Sequence, residues 1–147
     1  MFGKKMAFLV AMMLFIISNT IFASSAPEIT STIGNEVVFE LTGAPGDFQK
    51  TIGYYSFKTQ GRVTIQFSVS DLVYLGPYKE QTRLDDVVYW INNQPQMNFR
   101  PGKPLILKRG NGFHEFTLHG RVTIKAIEDQ PAGDYGGTIY ITVSPSQ

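Results

Sequence analysis

The chain has 147 residues, which suits one domain with a core large enough to fold without covalent cross-links. Its formal net charge of +1 offers no excess of positive charge to attract nucleic acid or an anionic membrane surface. It contains no cysteine, which excludes a disulfide, a thiol nucleophile, a thiolate metal site and a lipid anchor on an N-terminal cysteine.

The first 25 residues have the order of a secretory signal peptide. Residues 1–5 are short and basic, residues 6–17 are apolar without interruption, and the stretch that follows ends in small residues. The apolar run is shorter than the about 20 residues that a membrane span needs. We therefore predict that residues 1–25 are removed on export and that no membrane anchor remains. Residues 26–147 then form a single domain in the periplasm, at the cell surface or outside the cell.

The remaining chain breaks into short alternating runs separated by Gly, Pro, Asn and Asp. Strands are predicted, in chain order, at residues 28–33, 37–41, 52–58, 62–69, 87–91, 104–107, 113–127 and 135–143. Gly34-Asn35 separates the first two strands, and Thr59-Gln60-Gly61 predicts a tight hairpin between the next two. Gly120 predicts a bulge or a bend in the long seventh strand. Residues 72–84, which include Gly76-Pro77, are predicted to form a long loop.

The alternation also predicts which side chains face the core. In the fourth strand Val63, Ile65, Phe67 and Val69 share one face and polar residues share the other, as in a half-buried antiparallel strand. The continuous apolar run at residues 87–91 predicts a strand buried on both faces. Seven to nine strands without intervening helices predict an all-β fold, an antiparallel β-sandwich of immunoglobulin-like or pilin-like type.

Two stretches of the sequence resemble each other. Residues 55–65 and 114–124 align without gaps, match at six of eleven positions and share the run Gly-Arg-Val-Thr-Ile. Duplication of a strand pair would explain the match. Chance recurrence among the few residue types that strands use would explain it as well.

The most characteristic piece is Asp129–Val143, which contains Pro131-Ala132-Gly133-Asp134-Tyr135 ahead of an alternating Thr and Ile or Val strand. It resembles the closing strand of bacterial surface subunits of the spore coat protein U and fimbrial type. The resemblance covers about fifteen residues and implies a surface or appendage role. The chain departs from those subunits in Gly136-Gly137 and in lacking their paired cysteines. In this turn we expect Gly133 to take a positive φ and Tyr135 to cover the end of the sandwich and bond through its hydroxyl.

No arrangement of residues predicts catalysis, a metal or a cofactor. His114 and His119 are five residues apart in a strand, so they fall on opposite faces. Asp85-Asp86 with Glu80 lack the spacing of a calcium loop, and no serine has the Gly-x-Ser-x-Gly context of a hydrolase. We therefore predict a protein that is not an enzyme and needs no cofactor.

Two non-catalytic functions remain open. The first is a secreted cell-surface structural or adhesive subunit, whose partners are other copies of the chain or related subunits. The second is a carbohydrate-binding β-sandwich module, with Tyr74, Tyr78 and Trp90 as candidate glycan contacts because flat rings cover the C–H faces of sugars. Since neighbours in a strand point to opposite faces, one of Tyr89 and Trp90 is expected in the core.

The assembly of such a subunit could use the first strand. In the segment at residues 27–33, Ile29, Ser31 and Ile33 share one face, and Gly34 could act as a hinge. This segment can pair with the edge of its own sheet. It can also be donated to the open edge of a neighbouring copy, where main-chain pairing supplies affinity and alternate side chains fill pockets.

Overall fold

The computed structural model describes residues 31–77, 83–84, 86–125 and 130–146. The predicted signal peptide lies outside the described residues. So do Ile29 of the candidate donor segment, Tyr78 of the candidate glycan contacts, and Glu80 and Asp85 of the carboxylate group.

The described residues form ten strands and no helix. The strands are β1 Ser31–Leu41, β2 Gly46–Thr59, β3 Val63–Val69, β4 Leu72–Tyr74, β5 Arg83–Leu84, β6 Val87–Ile91, β7 Asn98–Phe99, β8 Leu105–Arg109, β9 Gly112–Ile124 and β10 Gly133–Pro145. All their pairings are antiparallel. Eight strands have three or more residues, and β5 and β7 have two each.

The strands form two sheets that pack face to face, which confirms the predicted β-sandwich. The first sheet has the order β5-β4-β10-β3-β8, with β1 on the free side of β10, and the second has the order β2-β9-β6-β7. Both sheets contribute to one core, whose largest fully buried side chains include Tyr89, Tyr135, Phe67 and Phe99. Strands β1 and β2 follow each other in the chain, and each lies at the edge of its sheet.

The predicted faces are confirmed where the structure describes them. Strand β3 alternates buried and half-buried residues, and Val63, Ile65, Phe67 and Val69 are the buried ones. All five residues of β6 are buried, as the unbroken apolar run predicted. The period of two in the sequence therefore sets the inner face of β3.

Two predicted turns are wrong. Gly34 and Asn35 do not interrupt the first strand, because they pair in register with Tyr140 and Ile139 inside one continuous β1. Residues 59–61 do not close a hairpin, because β2 pairs with β9 and β3 pairs with β10 and β8. The chain crosses from one sheet to the other at this turn, so the two flanking strands lie in different layers.

Gly120 pairs in regular register with Lys50 and Tyr89, so the predicted bulge is wrong at this position. The register of the β2–β9 ladder shifts between Thr51 and Gly53 instead. Gly120 is required by packing, since an added Cβ would lie 2.9 Å from the Phe39 ring and 3.0 Å from the Tyr89 ring. A strand glycine of this kind permits the close approach of neighbouring groups.

The internal similarity is not a duplicated strand pair. Residues 55–65 contain the end of β2, the crossover and the start of β3, whereas residues 114–124 lie within the single strand β9. The shared Gly-Arg-Val-Thr-Ile run therefore begins a strand of one sheet and ends a strand of the other. Recurrence of common strand residues explains it.

The closing turn has the predicted form. Gly133 has φ +135°, and the fully buried Tyr135 donates its hydroxyl to the carbonyl oxygen of Pro131 at 2.8 Å. The hydroxyl also contacts Gln130 Oε1 at 3.4 Å. The bond to Pro131 ties the entry of β10 to the end of the sandwich.

Candidate functional site

One side of the sandwich presents two long edge strands. Strand β1 pairs only with β10, and β2 pairs only with β9, among the strands that the structure describes. Their lengths of 11 and 14 residues exceed the usual five or six, and long unpaired edges are sites where another chain can add. Such an edge presents hydrogen-bonding groups that its own sheet does not use.

The hydrogen bonds of β10 show which residues of β1 point outward. On the β3 and β4 side of β10, the carbonyl oxygens of Thr138 and Asp134 each accept a backbone N–H at 2.9 Å. Thr138 lies opposite Glu36 and Asp134 lies opposite Glu40. Because main-chain groups alternate in direction along a strand, Glu36 and Glu40 direct their own N–H and C=O away from β10.

The same alternation extends along the whole strand. The outward-facing residues of β1 are Thr32, Gly34, Glu36, Val38 and Glu40. Within the described residues, one hydrogen bond reaches the main-chain groups of these residues that point away from β10: Lys50 Nζ donates to the Val38 carbonyl oxygen. Residues 31–34 of β1 are exposed, so the main-chain groups that point away from β10 in this part of the strand are accessible.

Lys50 protects the middle of this edge. Its side chain leaves β2, bonds Val38 and lies 5.1 Å from the centre of the Phe39 ring. A lysine on an edge strand is a common device against unwanted pairing. Lys50 was not identified from the sequence. It lies two residues after Phe48, which packs on the core, so a charged residue stands where the alternation of β2 would place an apolar one.

The structure places the candidate donor residues in their own sheet. Ser31 pairs with Val143 and Ile33 pairs with Ile141, so both belong to the first half of the continuous strand β1. Ile33 is 47% exposed, whereas Ile141 opposite it is fully buried. Pairing of this segment with its own sheet was one of the two predicted alternatives, and donation to another copy stays a prediction.

A second candidate site lies on the outer face of the β2-β9-β6-β7 sheet. A cleft of about 430 Å³ is lined by Gln49, Asp86, Val88, Trp90, Asn93, Pro95, Asn98, Arg100 and Arg121. Trp90 lies opposite His119 of β9, and the two rings stack with centroids 5.6 Å apart. Tyr89 occupies the core, so Trp90 is the member of this pair that points outward.

The structure places Tyr74 and Trp90, the two candidate glycan contacts that it describes, in different sheets. Trp90 is only 8% exposed, which leaves little of its ring to stack on a sugar. Tyr74 belongs to β4 in the other sheet, where its ring packs 5.3 Å from that of Tyr135 and its hydroxyl donates to Ala132 O at 3.3 Å. The loop predicted over residues 72–84 is wrong at Tyr74, because pairing of β4 with β10 holds this residue against the core.

The cleft residues that carry charge were missed in the sequence. Arg121 lies between the buried Gly120 and Val122, so the alternation of β9 could have predicted that its side chain points to the outer face. Arg100 follows the two-residue strand β7, which has no detectable period of its own. Only the pairing of β7 with β6 brings Arg100 into the cleft, at the level of Val88.

Neither metal binding nor membrane crossing is indicated in the part of the chain that the structure describes. No group of three or more His, Asp or Glu side chains in these residues could hold a metal ion. No helix among them is long and apolar enough to cross a membrane. His114 and His119 do lie on opposite faces: His114 bonds Thr59 and Gly110, and His119 stacks on Trp90.

Comparison with known proteins finds no matching family model and no match among curated proteins. Among solved structures, 82% of this chain is similar to the VP2 subviral particle of infectious bursal disease virus, with a TM-score of 0.35 and 9% identity. The matched part spans 33% of the VP2 chain. The chain is also similar to a subunit of the disulfide-linked pili of Bacillus endospore appendages, with 82% of this chain and 95% of that chain covered, a TM-score of 0.26 and 12% identity.

These scores define neither a family nor a function for the chain. Its class follows from its own strand pairing, which is that of an antiparallel β-sandwich protein. Within that class, its particular features are the two long edge strands on one side and the cleft on the outer face of one sheet.

Proposed function

We propose that the chain is an exported, non-catalytic structural subunit of the cell surface that associates with other copies along the β1 edge. The observation that carries the proposal is the row of outward main-chain groups at Thr32, Gly34 and Glu36, which their own sheet leaves unpaired. The signal-peptide order of the leader and the surface-subunit resemblance of the closing strand support export and location.

A second copy is the expected occupant because the chain supplies a complementary edge. Both edges lie on the same side of the sandwich, so two copies facing each other can pair β1 of one with β2 of the other. Main-chain hydrogen bonds would supply the affinity of this pairing.

A proline substitution tests edge pairing without breaking the fold. Glu36→Pro removes an N–H that points away from β10, and proline is tolerated at edge positions of this kind. Glu36→Ala is the matched control, because it removes the same carboxylate but keeps the N–H. We expect the wild type and the alanine variant to self-associate in sedimentation velocity experiments, and the proline variant to remain a folded monomer by circular dichroism.

The opposite change should strengthen association. Lys50→Met removes the bond to the Val38 carbonyl and frees another acceptor on the edge, so we expect association at a lower protein concentration. A wild-type chain that stays monomeric at high concentration, or a proline variant that assembles like the wild type, would contradict the proposal. Export is tested separately by intact mass, with a mature N-terminus expected between Ser24 and Pro27.

A further inference from the structure

We propose that the cleft around Trp90 binds a saccharide that carries a carboxylate. The floor of the cleft is apolar although it faces away from the core. Val88 and Trp90 are 9% and 8% exposed, and neither belongs to the cluster of buried side chains between the sheets. A small apolar floor of this kind can contact a few C–H groups of a bound sugar, although too little of the Trp90 ring is exposed for a pyranose ring to stack on it.

Two arginines stand on either side of this floor. Arg121 of β9 lies directly opposite Val88 of β6. On the other side Asn98 lies opposite Trp90, so the antiparallel register carries Arg100, two residues further, to the level of Val88. The backbones of these flanking residues are two strand spacings apart, about 10 Å, and long guanidinium side chains can converge across that distance on one carboxylate.

The charge of the cleft favours an anionic ligand. Among the described residues, neither arginine forms an ion pair within the chain, and both line the cleft. Asp86 is the single acid in the lining. The excess of one positive charge, together with the planar donors of arginine, suits a carboxylate, which accepts two parallel hydrogen bonds from one guanidinium.

The remaining lining residues suit sugar hydroxyls. Gln49 and Asn93 line the cleft with amide groups, which can both donate and accept, whereas the amide nitrogen of Asn98 already donates to the Pro95 carbonyl oxygen at 2.8 Å. Asp86 can accept from a hydroxyl in addition. An apolar floor, neutral amides and a pair of guanidinium groups together define a site for a uronic acid unit of a polysaccharide, which goes beyond the self-association proposed above.

The single tryptophan of the chain makes the test direct. Trp90 is the only source of tryptophan fluorescence, so oligogalacturonate titrated into the purified chain should change its emission, and calorimetry should give the same affinity. The methyl ester of the same oligosaccharide keeps the sugar but removes the charge, and we expect it to bind at least about tenfold more weakly. Binding of the acid should weaken as salt increases.

Charge-matched variants assign the binding to the cleft. Arg121→Gln and Arg100→Gln should each weaken binding by about tenfold. Lys108→Gln removes one positive charge from β8 in the other sheet and should leave binding unchanged. Loss of binding in the arginine variants alone supports the proposal.

Three results would overturn it. The first is no fluorescence change and no heat with oligogalacturonate. The second is equal binding of the acid and its ester, and the third is equal binding of oligoglutamate, which would show a site for acidic peptides rather than sugars. Each is independent of self-association, because the same titrations can be made on the Glu36→Pro variant.

Discussion

Two buried tyrosines offer a matched test of how hydroxyl groups contribute to stability in this core. Tyr89 and Tyr135 are both fully buried, and burial raises the pKa of each phenol above its ordinary value, with a smaller contribution from Tyr74 at Tyr135. They differ in hydrogen bonding. Tyr135 donates to Pro131 O at 2.8 Å, whereas the Tyr89 hydroxyl has no partner within the described residues.

The phenylalanine variants should therefore change stability in opposite directions. Tyr135→Phe removes a hydrogen bond and leaves the Pro131 carbonyl without it, which should lower the free energy of unfolding by about 1 kcal/mol. Tyr89→Phe removes a hydroxyl whose burial without a partner costs about 1–3 kcal/mol. After the lost contacts of one oxygen atom are subtracted, we expect a gain of about 1 kcal/mol.

Urea denaturation followed by circular dichroism measures both changes. The midpoint should move to higher urea for Tyr89→Phe and to lower urea for Tyr135→Phe, with the slope of the transition unchanged. A thermal midpoint should move by about 4 °C in the same directions. An equal loss of stability in both variants would refute the reasoning, because it would show that the Tyr89 hydroxyl is satisfied in the folded protein.

Further predictions concern the core and its pH dependence. Gly120→Ala should destabilise the fold by about 1–3 kcal/mol, because its Cβ would meet the rings of Phe39 and Tyr89 at 2.9 and 3.0 Å; unchanged urea stability would contradict this. Ile65→Asp or Ile141→Asp should unfold the domain, since each places an unpaired charge at a fully buried position, and a native circular dichroism spectrum in either variant would be inconsistent with the assigned faces. Because the folded-state pKa values of the two buried tyrosines are raised, the free energy of unfolding should keep its full value below about pH 10 and fall as the pH rises further, where the unfolded chain ionises first. Denaturation series between pH 8 and 11 should show this loss, and it should be smaller in each phenylalanine variant.

The sequence by itself determined the fold class and the inner face of the strands. Alternation at Val63–Val69 and the unbroken run at Val87–Ile91 are local properties, because successive side chains of any extended strand point to opposite sides. The closing turn was equally local: Gly133 and Tyr135 act within a few residues of Pro131. These features needed no knowledge of which strands lie side by side.

Only the tertiary structure decided which strands pair and which side chains come together on the outer faces of the sheets. Residues 59–61 have the length of a hairpin turn, but burial of apolar faces between two layers places β2 and β3 in different sheets. The same long-range pairing carries β1 through Gly34-Asn35, because the ladder with β10 supplies partners at both positions. It also gathers into one cleft Arg121 of β9, Trp90 of β6 and Arg100, which follows β7, since contacts between residues distant in sequence depend on the register of whole strands and not on any local period.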